Sequence, residues 1–218
     1  MKTATIPATD NEYLIGKILC IGRNYVDHIK ELGNETPAAP VVFMKPASAV
    51  IGSGEAVVIP SCSNDCHYEA ELAVLIGTDG KNIPEAEALS HVAGYGVAID
   101  MTLRDIQDGL KKKGLPWDIA KGFDTSCPLS DFVPAAQVAD PQNLTVRLTL
   151  NGEERQNGST GLMINGVARI ISHLSTIFTL EEGDIILTGT PAGVGRVVAG
   201  DRLEAAIDGV ATLSVTVA

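Results

Sequence analysis

No apolar stretch in the chain approaches the ~18 residues that a membrane-crossing helix needs. Basic residues are also scarce: 16 lysines and arginines face 27 aspartates and glutamates, for a formal net charge of −11. Phosphate backbones and anionic membrane surfaces both demand a basic face, so neither nucleic acid nor membrane is an expected partner. The opening Met1-Lys2-Thr3-Ala4-Thr5-Ile6-Pro7 has no apolar signal core, and a cytoplasmic location is expected. There are four cysteines, Cys20, Cys62, Cys66 and Cys127. Cys62, Cys66 and His67 are close in sequence, but no second Cys/His pair follows at zinc-site spacing, and small loop residues are the simpler reading. Gly-Lys-Ser/Thr and Gly-x-Ser-x-Gly are both missing, and Ser172 and Ser175 beside His173 lack the context of a nucleophilic triad. Repeats, low-complexity segments and long linkers are absent too.

What remains is a chain of 218 residues, 45% hydrophobic, able to bury one core as a single domain. Strands are expected at 17–21, 41–44, 56–59, 68–76, 92–100, 144–150 and 185–188. Asn151-Gly152 marks a type I′ hairpin, and Asp208-Gly209 a second hairpin between 203–207 and 210–217. Helices are expected within 23–32, at 84–90, at 102–113 with Thr102 as N-cap and Gly114 as stop, and at 162–178. The last carries Met163, Val167, Ile170, Ile171, Leu174 and Ile177 at helical spacing, with His173 beside that stripe as a packed residue. The sum is a β-rich α+β domain without regular βαβ alternation.

Glu69 and Glu71 stand two apart in an apolar run, and Asp100 ends another. Residues i and i+2 of a strand share a face. Three buried carboxylates on neighbouring strands are prohibitively costly without a cation between them, and an all-oxygen set suits Mg²⁺ or Mn²⁺, one per subunit, better than zinc. The alternative is a solvated Glu-x-Glu on an edge strand. His28 and Glu31 share a helix face, where the carboxylate can fix the tautomer of an imidazole acting as general base; taken in isolation, the spacing favours an exposed ion pair. Lys121 lies among Trp117, Ile119 and Phe123, so partial burial is expected. Arg104 and Gln107 share a face of the helix after Asp100, with an Arg104–Asp108 surface pair as the alternative. In Leu187-Thr188-Gly189-Thr190-Pro191-Ala192-Gly193-Val194-Gly195, the glycines let backbone N–H groups approach an anion such as a substrate carboxylate.

Six segments in order, Gly22-Arg23-Asn24-Tyr25 with His28, Phe43-Met44-Lys45-Pro46, His67 to Ala73, Gly94 to Gln107, Lys121-Gly122-Phe123-Asp124 and Leu187 to Pro191, resemble the fumarylacetoacetate hydrolase family. The resemblance runs from about Lys17 to Val217, and within the family it is to short single-domain members acting on acylpyruvates or fumarylpyruvate. It implies a mixed β-sandwich roll, a homodimer, and one catalytic domain over 1–218 with an N-terminal arm at 1–16 and a lid at 23–36. It implies Glu69, Glu71 and Asp100 as metal ligands, His28 and Glu31 as the dyad acting on water, and Lys121 beside the oxyanion. Arg23, Lys45, Arg104, Gln107 and Thr190 match substrate-facing positions. The founding enzyme's extra metal-ligating aspartate has no counterpart near Cys20-Ile21, and Tyr68 stands where many short members have histidine.

The implied activity is hydrolysis of the C–C bond of a 2,4-dioxo acid such as fumarylpyruvate or acetylpyruvate, giving pyruvate and a carboxylic acid. Decarboxylation of oxaloacetate, or isomerisation or tautomerisation of a 2-oxo-enoic acid, would use the same site. A small-acid sensor without turnover is the non-enzymatic alternative. The lid and loops around 47–66 and 153–161 are expected to shape the acyl pocket.

Overall fold

The computed structural model describes residues 1–33 and 35–218. Its centre is a six-stranded sheet in the order Val133–Pro134, Val92–Ile99, Ala70–Ile76, Ile185–Leu187, Ile18–Gly22, Val41–Lys45. Ile185–Leu187 runs parallel to Ile18–Gly22 and the other pairs are antiparallel. A five-stranded sheet lies across it, ordered Glu153–Ser159, Thr145–Leu150, Arg202–Ile207, Ala211–Val217, Ala56–Val57. The fold is that of a β-rich α+β domain with mixed sheets.

Ala70–Ile76 is buried at every position, which explains its unbroken apolar sequence: both faces of the strand are covered. Leu72 and Val74 join Leu148, Leu203, Leu213 and Val215 of the second sheet in the larger core. Ala73 and Leu75 face the other way, with Ile18, Cys20, Ile185 and Leu187, onto a smaller core closed by Ala4 and Ile6 of the N-terminal hairpin Thr3–Ile6/Asn11–Leu14. Each fully buried aliphatic side chain contributes about 1.5–3 kcal/mol. That burial offsets the charged cluster described below.

Among the described residues there are four α-helices: α1 (Val26–Glu31), α2 (Arg104–Lys113), α3 (Asp118–Lys121) and α4 (Val167–Ile177). None is long and apolar enough to cross a membrane. Three expectations need correction. The helix expected from Thr102 starts at Arg104, because Thr102–Leu103 pairs with Cys66–His67 as a short strand. The helix expected over 162–178 is shorter: Thr160–Leu162 is a 3-10 turn, and Ile177 is exposed at the end of the apolar stripe. The segment at 84–90 is a 3-10 helix, Glu85–His91, preceded by Pro84. The hairpin at Asn151-Gly152 has positive φ at both residues (54° and 81°), as a type I′ turn requires.

Candidate metal centre and its cleft

Strand register brings the three carboxylates together. Ala70 pairs with Ile99 and Glu71 with Ala98, and the Asp100 N–H donates to the Glu69 carbonyl at 2.7 Å. Glu69 therefore faces Asp100 across the pair, and Glu71 lies two residues further along the same side. The strand expected over 68–76 is in fact interrupted: Cys66–Tyr68 and Ala70–Ile76 belong to different sheets, and Glu69 is the break between them. One oxygen from each of Glu69, Glu71 and Asp100 can be chosen so that all lie within 4.8 Å of one another, and all three residues are buried. The solvated Glu-x-Glu alternative is thereby excluded.

Three buried cations answer the three carboxylates. Lys121 Nζ, at the end of α3, donates to Glu69 Oε2 (2.9 Å), Asp100 Oδ2 (2.5 Å) and Thr102 Oγ1 (2.6 Å). Arg104 pairs with Glu69 Oε1 and donates to Gln107 Oε1 at 2.8 Å. The surface pair Arg104–Asp108 does not form; Asp108 instead lies 3.5 Å from Lys111. Lys45 Nζ lies 2.8 Å from Asp100 Oδ1 and donates to Met101 O and Ser126 Oγ, both at 3.2 Å, and to the Lys121 carbonyl. Lys45, expected at the substrate, is not among the residues lining the cleft; fully covered, it holds Asp100 and the end of α3. The expected neighbours of Lys121 also need correction. Ile119 is 64% exposed, and the ring beside the ammonium is Phe43, 4.9 Å to its centroid.

The electrostatics are unequal. Burial alone would raise the Glu69 carboxyl, but Lys121 and Arg104, with His28 beyond, hold it well below the usual range. Glu71 goes the other way: burial, then repulsion from Asp100 and Glu69, pushes it well above that range, against the Lys121 charge and the N–H that Gly189 donates to it at 2.6 Å. Asp100 Oδ1 is buried and accepts no hydrogen bond, since Lys45 is near it without the required angle. An oxygen without a hydrogen bond, a buried carboxyl repelled by its two neighbours and an all-oxygen donor set fit a hard divalent cation held by Glu69, Glu71 and Asp100.

Above this cluster, α1 brings in His28, buried, with Nδ1 3.4 Å from Glu31 Oε2. Glu31 is held from its far side by the Gly193 N–H, 3.0 Å from Oε1 and 3.3 Å from Oε2. Gly193 has φ +102°, and a Cβ there would lie 2.0 Å from the Arg155 carbonyl. The glycine loop thus binds the protein's own carboxylates, Glu71 through Gly189 and Glu31 through Gly193, rather than leaving those two amides for substrate. Burial, above all, lowers the His28 imidazole from its ordinary value; Glu69 and Glu31 oppose the shift and Arg104 adds to it.

The cleft is narrow: about 390 Å³ of space lies between its walls and the open solvent at its mouth, solvent included, with room for water-sized occupants in only about 30 Å³ of it. Arg23, His28, Glu69, Glu71, Arg104, Gln107, Lys121 and Thr190 all line it, together with Phe43, Lys111 and Trp117. No residue of 47–66 or 153–161 does, so the expectation that those loops shape the outer pocket is overturned: α2 and the Trp117 segment occupy that place.

Two residues escaped the sequence reading. Asn24 is buried, donates to the carbonyls of Asn165 (3.0 Å) and Thr188 (2.8 Å), and so ties the start of the α1 segment to the glycine loop. Gln156, wholly buried, accepts from Ala70 N–H at 2.9 Å and donates to Thr190 Oγ1 (2.7 Å) and Pro191 O (2.9 Å). One side chain thus joins the Glu69–Glu71 segment to the loop carrying Thr190. Its signal in sequence is slight, a lone inward-facing amide on a strand whose neighbours are exposed. Gln156→Leu strands the buried Ala70 donor, at about 1–3 kcal/mol per unsatisfied group. The expected loss is ~2 kcal/mol in urea unfolding of the metal-free protein; a change under ~0.5 kcal/mol, typical of surface substitutions, would show that this amide bears no structural load.

A family model described as fumarylacetoacetate (FAA) hydrolase C-terminal matches residues 17–218. The mitochondrial oxaloacetate tautomerase FAHD1 of Rattus norvegicus is 51% identical over 196 residues, covering 90% of this chain and 89% of that one. The oxaloacetate tautomerase YcgM of Escherichia coli is 48% identical over 199 residues, 91% of each chain. Among solved structures, fumarylpyruvate hydrolase from Pseudomonas aeruginosa, in complex with Mn²⁺ and pyruvate, superposes with a TM-score of 0.94 at 41% identity, covering 99% of this chain and 95% of that one.

Proposed function

The chain belongs to the fumarylacetoacetate hydrolase family, and on that basis we propose that it is a divalent-metal-dependent tautomerase of oxaloacetate, moving a proton between the 2-oxygen and C3 of the 2-oxo acid. The observation that carries this reading is a single buried imidazole, His28, set over a carboxylate cluster in a cleft whose described lining offers no serine or cysteine. Such a site can move protons or activate water. Relatives described as oxaloacetate tautomerases, about half identical over nine-tenths of the chain, support the choice of substrate.

The bound cation, held by Glu69, Glu71 and Asp100, would supply Lewis-acid polarisation of the 2-oxo group. Every other role belongs to the chain. Glu31, facing Nδ1, fixes the His28 proton there and leaves Nε2 bare as the base. In the enol-to-keto direction Nε2 takes the proton of the enol hydroxyl and returns it to C3, so one group serves both ends of the transfer. The Lys121 ammonium faces the negative charge that develops between those two events. Arg104 and Gln107, on one face of α2, and Thr190 orient the substrate carboxylate. Charge agrees with an acidic substrate in sign: Lys45, Arg104 and Lys121 already pair with the three carboxylates, so a dication would leave the cluster cationic.

Acylpyruvate hydrolysis is the second reading, favoured by the His28–Glu31 dyad, which would serve as well to deprotonate water, and by the likeness to a fumarylpyruvate hydrolase. Loss of enol absorbance from oxaloacetate, run beside cleavage of fumarylpyruvate and acetylpyruvate and release of carbon dioxide, separates the readings. The expected outcome is ketonisation stimulated by Mg²⁺ or Mn²⁺ and abolished by EDTA. Cleavage of an acylpyruvate with no effect on the oxaloacetate enol would transfer the assignment to the hydrolase.

A further inference from the structure

Beyond the residues that hold the reacting end of the substrate, the cleft has a second cationic site at its mouth. Arg104, Gln107 and Lys111 stand at i, i+3 and i+7 of α2, one face of the helix, and all three line the cleft. The row leads outward only at its end: Arg104 and Gln107 are buried, and the Lys111 side chain is 20% exposed. The Lys111 ammonium lies 5.6 Å from the centroid of the Trp117 ring, which limits where it can swing. Its acidic neighbour, Asp108, is 3.5 Å away with a half-exposed side chain, so solvent screens that pair. Across the lining is Arg23, which no carboxylate pairs with among the described residues. Arg23 has φ +59°, a left-handed backbone that a non-glycine residue keeps only when its surroundings impose it. Burial first, then Arg104, presses the Lys111 ammonium below its ordinary value; Asp108 opposes and Arg23 adds a little.

We propose that Lys111, together with Arg23, is a receptor for the second carboxylate of the substrate and makes the enzyme selective for dianionic over monoanionic 2-oxo acids. This rests on the functional reading above and sharpens it by assigning the residue that reads substrate charge. Arg104 and Gln107 hold the inner carboxylate; Lys111, one turn further out on the same face, meets the group at the other end of a four-carbon acid. An acyl chain with no terminal charge gains nothing there.

The test compares the Mn²⁺-loaded enzyme with Lys111→Met and Lys111→Arg on oxaloacetate and on its 4-methyl ester, which keeps the size and removes the outer charge. Lys111→Met is expected to lower the ratio of kcat/KM for oxaloacetate to that for the ester by ~10-fold, through KM, as loss of one charged hydrogen bond implies. Lys111→Arg, which keeps the charge, should recover most of that ratio. An identical ratio in wild type and Lys111→Met overturns the proposal. If the wild type turns over neither compound, the functional reading fails by itself, and binding decides instead. The preference for malate over lactate, by calorimetry with Mn²⁺ present, should fall by the same factor in Lys111→Met; a preference missing from the wild type, or unaltered by the substitution, overturns the proposal.

Discussion

Glu71→Gln is expected to abolish tight metal binding while leaving the metal-free fold at least as stable. Glu71 is the proposed ligand whose charge its surroundings oppose: it is buried and repelled by Asp100 and Glu69, with Lys121 nearby and one N–H from Gly189 in support. A glutamine of the same shape can keep accepting from Gly189 while its amide donates toward the neighbouring carboxylates. Repulsion then becomes hydrogen bonding, and the cation loses a ligand. Removing a hydrogen-bond partner of a ligand already costs 10–100-fold in metal affinity, so loss of a ligand should exceed ~100-fold for Mn²⁺, with activity falling in parallel. Calorimetric titration and urea unfolding of the metal-free protein measure the two halves. Wild-type affinity in Glu71→Gln would remove this carboxylate from the proposed site.

His28→Ala is expected to lower kcat for oxaloacetate ketonisation by ~10²–10⁴-fold with little effect on Mn²⁺ affinity, because His28 lines the cleft without belonging to the carboxylate set. The pH profile carries a finer expectation. Burial first of all holds the imidazole below its ordinary 6.5, so its basic form dominates at neutral pH. Activity should therefore rise with pH through a limb lying below 6.5 and be flat at neutrality. Glu31 raises the His28 value, so Glu31→Gln should move that limb to still lower pH and reduce the plateau as the tautomer loses its anchor. An unaltered profile in Glu31→Gln would mean that the dyad is a packing contact. Full ketonisation by His28→Ala would assign the proton transfer elsewhere.

Much of the site was legible because strand chemistry is periodic. The i, i+2 spacing of Glu69 and Glu71, and Asp100 at the end of a neighbouring apolar run, already imply one face of one sheet. The helical spacing of Arg104 and Gln107 likewise places them together. What was not legible depends on register and on contacts distant in sequence. The interruption at Glu69 arises because Cys66–Tyr68 leaves to pair with Thr102–Leu103 and Gly195–Val197, which no local pattern announces. Thr102 reads as an N-cap by type, yet it serves as a hydrogen-bond partner of Lys121 because the segment after Asp100 remains extended. Lys45 matches a substrate-facing position by motif but is sealed under Asp100 by its neighbours in space, Met101 and Ser126. Gln156 lies among exposed residues in sequence, and only the fold turns its amide inward to Ala70 and Thr190. The outer pocket was misplaced for the same reason: loops nearby in a family outline need not be nearby in the folded chain.

Anomalous diffraction from crystals soaked in Mn²⁺ tests the central claim most directly. One peak per chain is expected, with an oxygen from each of Glu69, Glu71 and Asp100 at about 2.0–2.3 Å, as for a small hard cation with carboxylate ligands. A soaked crystal with no peak there, those three side chains still tied only to Lys121, Arg104 and Lys45, would contradict it.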